Sequence, residues 1–407
     1  MKKLMNIVIN FMREQPIMAG LALLIFLPPI GIFYMFFLGG KEIFRNIKAR
    51  KGIPFDFITV LFLIMFLSSI GSALQQQHLI YLLVSITIVL FYGVYLLALT
   101  QNMSTQINYF SWIFIFGGVY QYIFGLLNRV LFIKGWSNSI VGYLTGSHLL
   151  GFLGHNRLYG SAYNPNYSAF LLVFALGFLL VKLLKTIRCK TFKQLLLYIP
   201  LLILIILGIN ATGSRSGFGV ILVLFGIFLL RLSLRFTILT ITLICINGYW
   251  LFQIFPRSHE IISNFGTRMY IWKNSIDLIM QYPQFGLNPI GFPEKYFAQT
   301  GHHAAHAHNI FLAFFTDFGI IAGMVFVGFS IVILFNIIKL LKYNGSKVFF
   351  EWFLFSIPIL GLTGLLDFPL SSPQIALPAL ILVSKWQQYI VRTNHTLKIR
   401  NALLQEK

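Results

Sequence analysis

The sequence is dominated by runs of about 20 apolar residues, separated by short loops rich in lysine and arginine. A run of that length crosses the hydrocarbon core of a bilayer as a helix. Hydrophobic residues make up 57% of the 407 residues and charged residues only 10%, so a soluble domain of this size would leave much apolar surface exposed. The sequence therefore predicts an all-α polytopic membrane protein and excludes a soluble globular fold.

The basic loops predict the orientation, because loops that carry lysine and arginine stay on the cytoplasmic side. The strongest such loop runs from Lys41 to Lys51, and the apolar runs alternate in direction from there to a basic C-terminal tail. The alternation predicts about 11 spans, within a range of about 10 to 12. It places the C-terminus in the cytoplasm and the longest loop outside.

The predicted organisation has four parts along the chain. They are N-terminal membrane helices in residues 1–255, an extracytoplasmic loop domain in 256–308, C-terminal membrane helices in 309–391 and a cytoplasmic tail in 392–407. The N-terminal end fits the charge rule poorly, because a single span over Ile17–Leu38 leaves Lys2, Lys3 and Arg13 outside. Either Pro28-Pro29 turns this run into a re-entrant hairpin, or the rule is violated there.

The long outer loop contains a predicted helix over Ile262–Tyr282, which Pro283 ends. One face of this helix carries a stripe that includes Met269, Trp272 and Met280. Such a stripe is typical of a helix that lies in the membrane interface. A helix packed on its own domain would show the same pattern, and the sequence leaves both interpretations open.

The net charge of +21 does not indicate nucleic-acid binding, because no basic stripe with interleaved aromatic residues lies outside the apolar runs. Membrane orientation and anionic lipid headgroups account for the charge. Of the two cysteines, Cys189 falls in a predicted cytoplasmic loop and Cys245 in a predicted span. A disulfide framework is therefore not expected.

Arg215 is the most informative single residue, because an arginine at the edge of the hydrocarbon is costly unless it is paired. It lies between Ser214 and Ser216 in the segment Thr212–Gly217, at the predicted outer end of a span. Small neighbours let an anion approach the backbone, and the positive end of the next helix attracts it. A stop-transfer arginine would lie on the cytoplasmic side instead, so we favour an anion site. Arg268, at the start of the outer-loop helix, is a second candidate cation or a solvated helix-start charge.

Four of the nine histidines lie between Gly301 and Asn309, and three interpretations remain open for them. The four are His302, His303, His306 and His308. They could bind a metal, although carboxylates and cysteines are scarce nearby. They could form a pH-sensitive surface loop, or one of them could act as a general base. His308 is the best placed for a base, because it directly precedes Asn309 and the next predicted helix.

Further polar residues lie at predicted outer ends of the spans. Arg157 precedes Asn164-Pro165-Asn166, which is either a substrate contact or a plain turn with a helix N-cap. Asp367 lies near the outer face and could join a site there. Asp317 lies inside an apolar run, where structural support is the favoured interpretation.

Several of these motifs occur in an order that is typical of one family. They are Arg157–Gly160 before Asn164–Asn166, then Thr212–Gly217, Gly266–Arg268 with Trp272, and His308-Asn309 before Asp317–Gly319 and Gly323. Between Arg157 and Gly323 the chain resembles the O-antigen ligase and polymerase family, multispanning enzymes of bacterial surface polysaccharide assembly. One departure is Asp317, where the family often has glutamate.

The resemblance implies a GT-C-like glycosyltransferase of the bacterial cytoplasmic (inner) membrane, with its active site on the extracytoplasmic side. It implies transfer of a glycan from an undecaprenyl-diphosphate carrier to an acceptor hydroxyl, with inversion at the sugar and with neither a cofactor nor a metal. Arg215 and Arg268 would bind the diphosphate, and His308 would activate the acceptor. Further substrate contacts are expected from Arg157, Asn166, Ser214, Ser216, Trp272, His306, Asn309 and Asp367. Other polysaccharide assembly proteins are expected partners.

The alternative function is a transporter or flippase of lipid-linked oligosaccharides. Transporters usually carry polar residues through the membrane midplane on matched half-helices, whereas the charges in this sequence lie at the ends of the apolar runs. Polymerase and ligase differ only in the acceptor, so the sequence specifies neither the acceptor nor the sugar and its linkage. The richness in Ile, Phe, Lys and Asn disfavours a lipopolysaccharide core as the acceptor.

Overall fold

The structure is a computed structural model that describes residues 9–130, 139–149, 157–248, 261–342 and 348–405. Within these ranges every regular element is helical. The α-helices are α1 Pro16–Phe26, α2 Pro28–Lys48, α3 Phe57–Gln75, α4 Leu82–Thr100, α5 Met103–Val130, α6 Ile140–Thr145, α7 Pro165–Arg188, α8 Leu195–Ala211, α9 Arg215–Leu232, α10 Leu234–Ile246, α11 Ile261–Gln281, α12 Asn288–Thr300, α13 Ile310–Lys342, α14 Val348–Leu354, α15 Ile357–Gly364 and α16 Pro373–Gln405. Short 3₁₀ turns occupy Leu79–Tyr81, Phe192–Gln194 and Pro369–Ser371.

Seven helices in the described part of the chain are long and apolar enough to cross a bilayer. They are Phe57–Gln75, Leu79–Thr100, Met103–Arg129, Pro165–Arg188, Phe192–Ala211, Arg215–Leu232 and Ile310–Leu341. Three shorter apolar helices cover Pro16–Phe26, Leu234–Ile244 and Phe349–Gly364. The prediction of an all-helical polytopic membrane protein is confirmed, while the count of about 11 spans and the GT-C-like class stay predictions.

The N-terminal apolar run is a hairpin of α1 and α2, which turns at Leu27. The two helices run antiparallel and almost touch, because a Cβ atom at Gly31 would lie 2.3 Å from the backbone nitrogen of Leu24. A Cβ atom at Gly20 would likewise lie 2.3 Å from the sulfur of Met35. The segments before α1 and after α2 therefore lie at the same end of the molecule. Of the two alternatives, the structure has the turn of the hairpin, and the side of the membrane on which its basic flanks lie stays a prediction.

The hairpin turn is completed by two distant side chains. Pro28-Pro29 lacks the backbone N–H groups that would bond the carbonyls of Leu24 and Ile25 in a continuous helix. Instead, Gln374 Nε2 donates to the Leu24 carbonyl at 3.0 Å, and Ser161 Oγ donates to the Ile25 carbonyl at 2.6 Å. Because buried carbonyls need partners in an apolar environment, these two bonds stabilise the turn.

Helix α7 is the central element of the bundle. The rest of the protein buries 83% of the apolar stretch of α7, compared with 22–44% of the corresponding stretches of the other six long helices. Asn164 caps its start by accepting a hydrogen bond from the Asn166 N–H at 2.8 Å, and Arg188 ends it. Because α7 is packed on all sides, the residues at its two ends have fixed positions.

A salt-bridged carboxylate lies at the C-terminal end of α7. Glu351 Oε1 accepts from Arg188 Nη1 at 2.5 Å and from Arg231 Nη2 at 2.8 Å. Arg188 also donates to the Arg231 carbonyl at 2.6 Å. This cluster joins the ends of α7 and α9 to α14.

Two predicted continuous spans are interrupted, which corrects the hydropathy interpretation. Within α13, Gly319 has φ 82° and ψ 177°, and the turn between α11 and α12 inserts there. A Cβ atom at Gly319 would lie 2.5 Å from the Gln284 carbonyl oxygen, so glycine is required. The predicted run Phe349–Leu366 forms two helices that break at Phe355 and Ser356, because Pro358 has no N–H to bond the Leu354 carbonyl in a continuous helix.

Candidate active site

Asp367, in the connection between α15 and α16, gathers groups from separate parts of the chain. Its Oδ1 lies 3.2 Å from His308 Nδ1 and 3.6 Å from His306 Nε2. The Phe368 N–H donates to the same oxygen at 2.8 Å, and Asn166 Nδ2 donates to Oδ2 at 3.0 Å. The carboxylate is buried, so its negative charge is stabilised by these donors rather than by water.

The contacts to Asp367 define the tautomers of both histidines. A carboxylate accepts hydrogen bonds, so His308 carries its proton on Nδ1 and keeps Nε2 unprotonated when the ring is neutral. His306 Nδ1 accepts from the His308 backbone N–H at 3.3 Å, so His306 carries its proton on Nε2, toward Asp367. His308 thus presents a basic nitrogen on the side of its ring away from the carboxylate.

The charges of the cluster follow from burial. Burial lowers the pKa of His306 to about 4, the neighbouring His308 lowers it too, and Asp367 only partly opposes them. His306 is therefore neutral at pH 7. Burial alone would raise the pKa of Asp367, but the hydrogen bond from His308, the two imidazoles and the Phe368 N–H hold that pKa below its usual range. Because His306 is uncharged at pH 7, we attribute this lowering mainly to the hydrogen bonds.

The backbone at His308 is in the left-handed region, with φ 49°, which is uncommon for a residue that is not glycine. Two neighbours hold it there. Trp272 Nε1 donates to the His308 carbonyl at 3.3 Å. Asn309 caps α13 by accepting from the Phe311 N–H at 2.9 Å, and its Nδ2 donates to the Leu365 carbonyl at 3.0 Å. The amide of Asn309 and the indole N–H of Trp272 thus position His308, and their predicted substrate contacts stay predictions.

Arg157 connects two of the predicted motifs. Its Nε donates to the Thr212 carbonyl at 2.7 Å and its Nη2 donates to Asn166 Oδ1 at 2.7 Å. Asn166 in turn holds Asp367. The substrate roles predicted for Arg157 and Asn166 stay predictions, but both side chains support the carboxylate.

The glycine-serine motif forms the start of α9, where Arg215 is the first helical residue. Ser214 caps this helix by accepting from the Gly217 N–H at 3.3 Å, and its hydroxyl lies 3.2 Å from that of Ser216. Ser216 lines a pocket between α7, α9 and the segment 363–369, whose other lining residues are Asn166, Tyr167, Ala169, Phe170, Gly217, Thr363, Asp367 and Pro369. The start of α9 therefore shares this pocket with the carboxylate.

Arg268 reaches the cluster from α11. Burial lowers the pKa of Arg268, and the charge of Asp367 raises it again. The guanidinium therefore lies near enough to Asp367 to interact with it electrostatically. This placement favours the site interpretation of Arg268 over a solvated helix-start charge.

The four-histidine stretch separates into two pairs. His306 and His308 join Asp367, with ring centroids 4.4 Å apart. His302 and His303 are exposed and pack on Tyr270 and Phe297 instead, at 5.8 and 4.3 Å between ring centroids.

The comparisons with known proteins give a family match that overlaps the site in sequence. Residues 200–327 match the O-antigen ligase family model. The predicted resemblance to the O-antigen ligase family is confirmed, and the matched stretch contains Arg215, Arg268 and His308. No curated protein matches the chain. Asp367 and Asn166 lie outside the matched stretch, and the three-dimensional structure brings them to His308.

His306, His308 and Asp367 also have the donor types of a zinc site, with ligand atoms within 4.8 Å of one another. The tautomers oppose that use. A histidine that binds metal through Nε2 normally keeps a proton on Nδ1 and donates it, but Nδ1 of His306 accepts from the His308 N–H. Metal binding would break this bond, so the trio fits a hydrogen-bonded base better than a metal centre.

Proposed function

We propose that the chain is a membrane glycosyltransferase that transfers a glycan from an undecaprenyl-diphosphate carrier to an acceptor hydroxyl. The active site would face the extracytoplasmic side of the bacterial cytoplasmic membrane. One observation carries the proposal: His308, inside the match to O-antigen ligases, has its Nδ1 on a buried carboxylate. Its Nε2 is therefore left to accept a proton.

In the proposed reaction, His308 Nε2 removes the proton of the acceptor hydroxyl. That oxygen attacks the anomeric carbon on the face opposite the diphosphate, and formation of the new C–O bond inverts the configuration at that carbon. The bond from the anomeric carbon to the diphosphate oxygen breaks, and undecaprenyl diphosphate leaves with the electron pair. Asp367 stabilises the imidazolium that forms. His308 then releases the proton to water.

The two arginines would act on the leaving group. Its negative charge grows as the bond breaks, and fixed cations that meet this charge in the transition state accelerate the reaction. Arg215 lies at the helix start beside the pocket, and Arg268 lies on α11 near Asp367. Forked guanidinium donors suit the oxygens of a diphosphate. The scheme uses protein groups alone and requires no metal.

The acceptor would be either the next lipid-linked repeat unit, as in a polymerase, or a cell-wall glycopolymer, as in a ligase. The residue composition supports these over a lipopolysaccharide core. Purified protein in liposomes that contain only a lipid-linked repeat unit separates the two. A ladder of polymer identifies a polymerase, and a product that appears only after a second acceptor is added identifies a ligase.

The test of the base is a matched pair of histidine variants. We expect His308→Ala to abolish formation of the glycosidic bond while membrane insertion is unchanged. His303→Ala, which alters an exposed histidine of the same stretch, should leave the reaction rate near that of the wild type. Arg215→Ala should also abolish product.

Normal product from both His308→Ala and Arg215→Ala would refute the mechanism. Labelled donor that crosses the membrane without forming a new glycosidic bond would instead identify a transporter. Both outcomes are read from the same reaction, by following the label in liposomes.

A further inference from the structure

Helix α11 presents three distinct faces. Its buried face, which includes Ile271, Ser275 and Leu278, packs inside the protein. A second face consists of large apolar side chains that are 47–72% exposed, and these are Phe265, Met269, Ile276 and Met280. Their spacing of i, i+4, i+11 and i+15 places them in one narrow stripe. We call this set the apolar stripe.

The third face of α11 is polar. Lys273, Asp277 and Gln281 are exposed there, on the far side of the apolar stripe from the buried face. Around the helix, the buried face is therefore followed by the exposed apolar stripe and then by the polar face. A helix surrounded by water has no reason to separate its exposed residues in this way, whereas a helix at the boundary of a bilayer does.

The middle of α11 is fixed at one end of the bundle. Trp272 donates to the carbonyl of His308, whose ring contacts Asp367. Asp367 accepts from Asn166 in the first turn of α7. Because α7 is long and apolar enough to cross a bilayer, its first turn lies near a membrane surface.

The C-terminal end of α11 is fixed to α3. Phe285, just after the helix, packs so closely on α3 that a Cβ atom at Gly71 would lie 2.4 Å from its ring. Asn288 Nδ2 donates to Ser69 Oγ at 3.0 Å, also in the last two turns of α3. The contacts that hold α11 are therefore to residues near the N-terminal end of one membrane span, α7, and near the C-terminal end of another, α3.

We propose that the apolar stripe contacts the hydrocarbon edge of the lipid bilayer and that α11 lies in the membrane interface. The occupant follows from continuity with exposed apolar side chains of the neighbouring spans. Leu67 and Leu74 of α3 are 54% and 71% exposed, and Ile321 and Met324 of α13 are 56% and 55% exposed. The turn after α11 contacts both of these helices, so α11 adjoins spans whose own exposed side chains are apolar.

Interfacial placement has a consequence for the site that rests on the proposed function. Arg268 and Trp272 belong to the same helix, so both would be held at the depth of the lipid headgroups. A diphosphate attached to a membrane-embedded lipid lies at that depth. The lipid contact of the stripe is independent of this consequence and of any catalytic activity.

Spin labels in lipid nanodiscs test the placement without an activity assay. In a Cys189→Ser, Cys245→Ser background, single cysteines replace Met269, Ile276 and Met280 for the stripe and Lys273 and Asp277 for the polar face. We expect stripe labels to be more accessible to oxygen, which partitions into lipid, than to a water-soluble nickel chelate. Labels on the polar face should show the reverse order.

Two outcomes would overturn the proposal. Stripe labels that prefer the nickel chelate, as the polar-face labels do, would place the stripe in water. Stripe labels that neither reagent reaches would show that protein, either a second copy or another partner, covers the stripe. All five positions are exposed, and thermal unfolding of each labelled protein checks that the fold is retained.

Discussion

Helix α7 has a buried carboxylate at each end, and the two carboxylates differ in their partners. Asp367 lies at the N-terminal end with His306, His308 and Asn166, and Glu351 lies at the C-terminal end with two arginines. Their side chains are 9% and 8% exposed. Burial is therefore nearly equal, and the partner groups distinguish the two clusters.

The partners decide whether the charge of each cluster can change near neutral pH. Guanidinium groups remain protonated at any physiological pH, so the Glu351 cluster keeps one charge state and joins three helices. Imidazoles are able to gain and lose protons in that range, and the proposed function uses this property at His308. A buried anion paired with arginine serves stability, and a buried anion paired with histidine can serve chemistry.

The largest expected effect is that of Asp367→Asn. The new amide can donate to His308 Nδ1, which would move the histidine proton to Nε2 and remove the base. We expect the rate of glycan transfer to fall on the order of 10²–10⁴-fold, and the unfolding temperature to fall as well, because the amide that faces His308 no longer accepts from the Phe368 N–H. The transfer assay in liposomes measures the rate. A rate within twofold of the wild type would show that the carboxylate does not control the tautomer.

Glu351→Gln should show the opposite pattern. Removing the anion leaves Arg188 and Arg231 adjacent, and breaking a buried ion pair costs about 3–5 kcal/mol. We expect about 3 kcal/mol, the lower end of that range, because Arg188 is 40% exposed and water screens its charge. Denaturant unfolding in detergent measures the loss. The protein that remains folded should transfer glycan at the wild-type rate. A large loss of rate in that folded protein would contradict a purely structural role for the Glu351 cluster.

The next expected effect is a loss of stability on acidification, which involves His306, a partner of Asp367, and not the arginine partners of Glu351. Folding favours neutral His306, whose pKa falls from 6.5 in the unfolded chain to about 4 in the folded protein. The stability from this shift is fully present above about pH 6.5 and is lost as the pH falls toward 4. The unfolding temperature should therefore decrease across that window. In His306→Asn, which keeps an acceptor for the His308 N–H, the decrease should be smaller; an unchanged slope would refute the assignment.

The smallest effect is expected at Asn166, whose amide donates a hydrogen bond to Asp367. Asn166→Ala removes the amide that donates to Oδ2 while the histidine contacts remain. Losing this hydrogen bond to a charged group, together with the acceptor for Arg157 Nη2, should lower the transfer rate about tenfold. Asn336→Ala, which removes an amide that bonds within α13, is the matched control. Equal rates for Asn166→Ala and the wild type would show that the other contacts alone fix the carboxylate.

Elements with local signals could be predicted from the sequence. Ile262–Tyr282 was predicted as a helix and the structure has Ile261–Gln281, because apolar periodicity and Pro283 are both visible in one short segment. Hydropathy likewise located the long apolar spans in the described ranges. The alternative at Pro28-Pro29 could be stated from charge and proline alone, but not decided.

The arrangement around Asp367 could not be derived in the same way. Asp367 is 59 residues from His308 and 201 from Asn166, and no periodicity connects positions so far apart. The sequence predicted Asp367 near the outer face, which stays a prediction, but it contained no sign that the carboxylate would contact His306, His308 and Asn166. The interruption at Gly319 was missed because it depends on the turn around Gln284 rather than on the apolar run itself.

The turn at Leu27 has a consequence for the order of assembly. The Leu24 carbonyl accepts from Gln374, 350 residues later in the chain, whereas the Ile25 carbonyl accepts from Ser161. During synthesis the first two helices are therefore inserted with buried acceptors that only later segments can satisfy. The N-terminal hairpin reaches its final stability when the start of α16 arrives, so the first helices of the chain depend on a segment that is synthesised about 350 residues later.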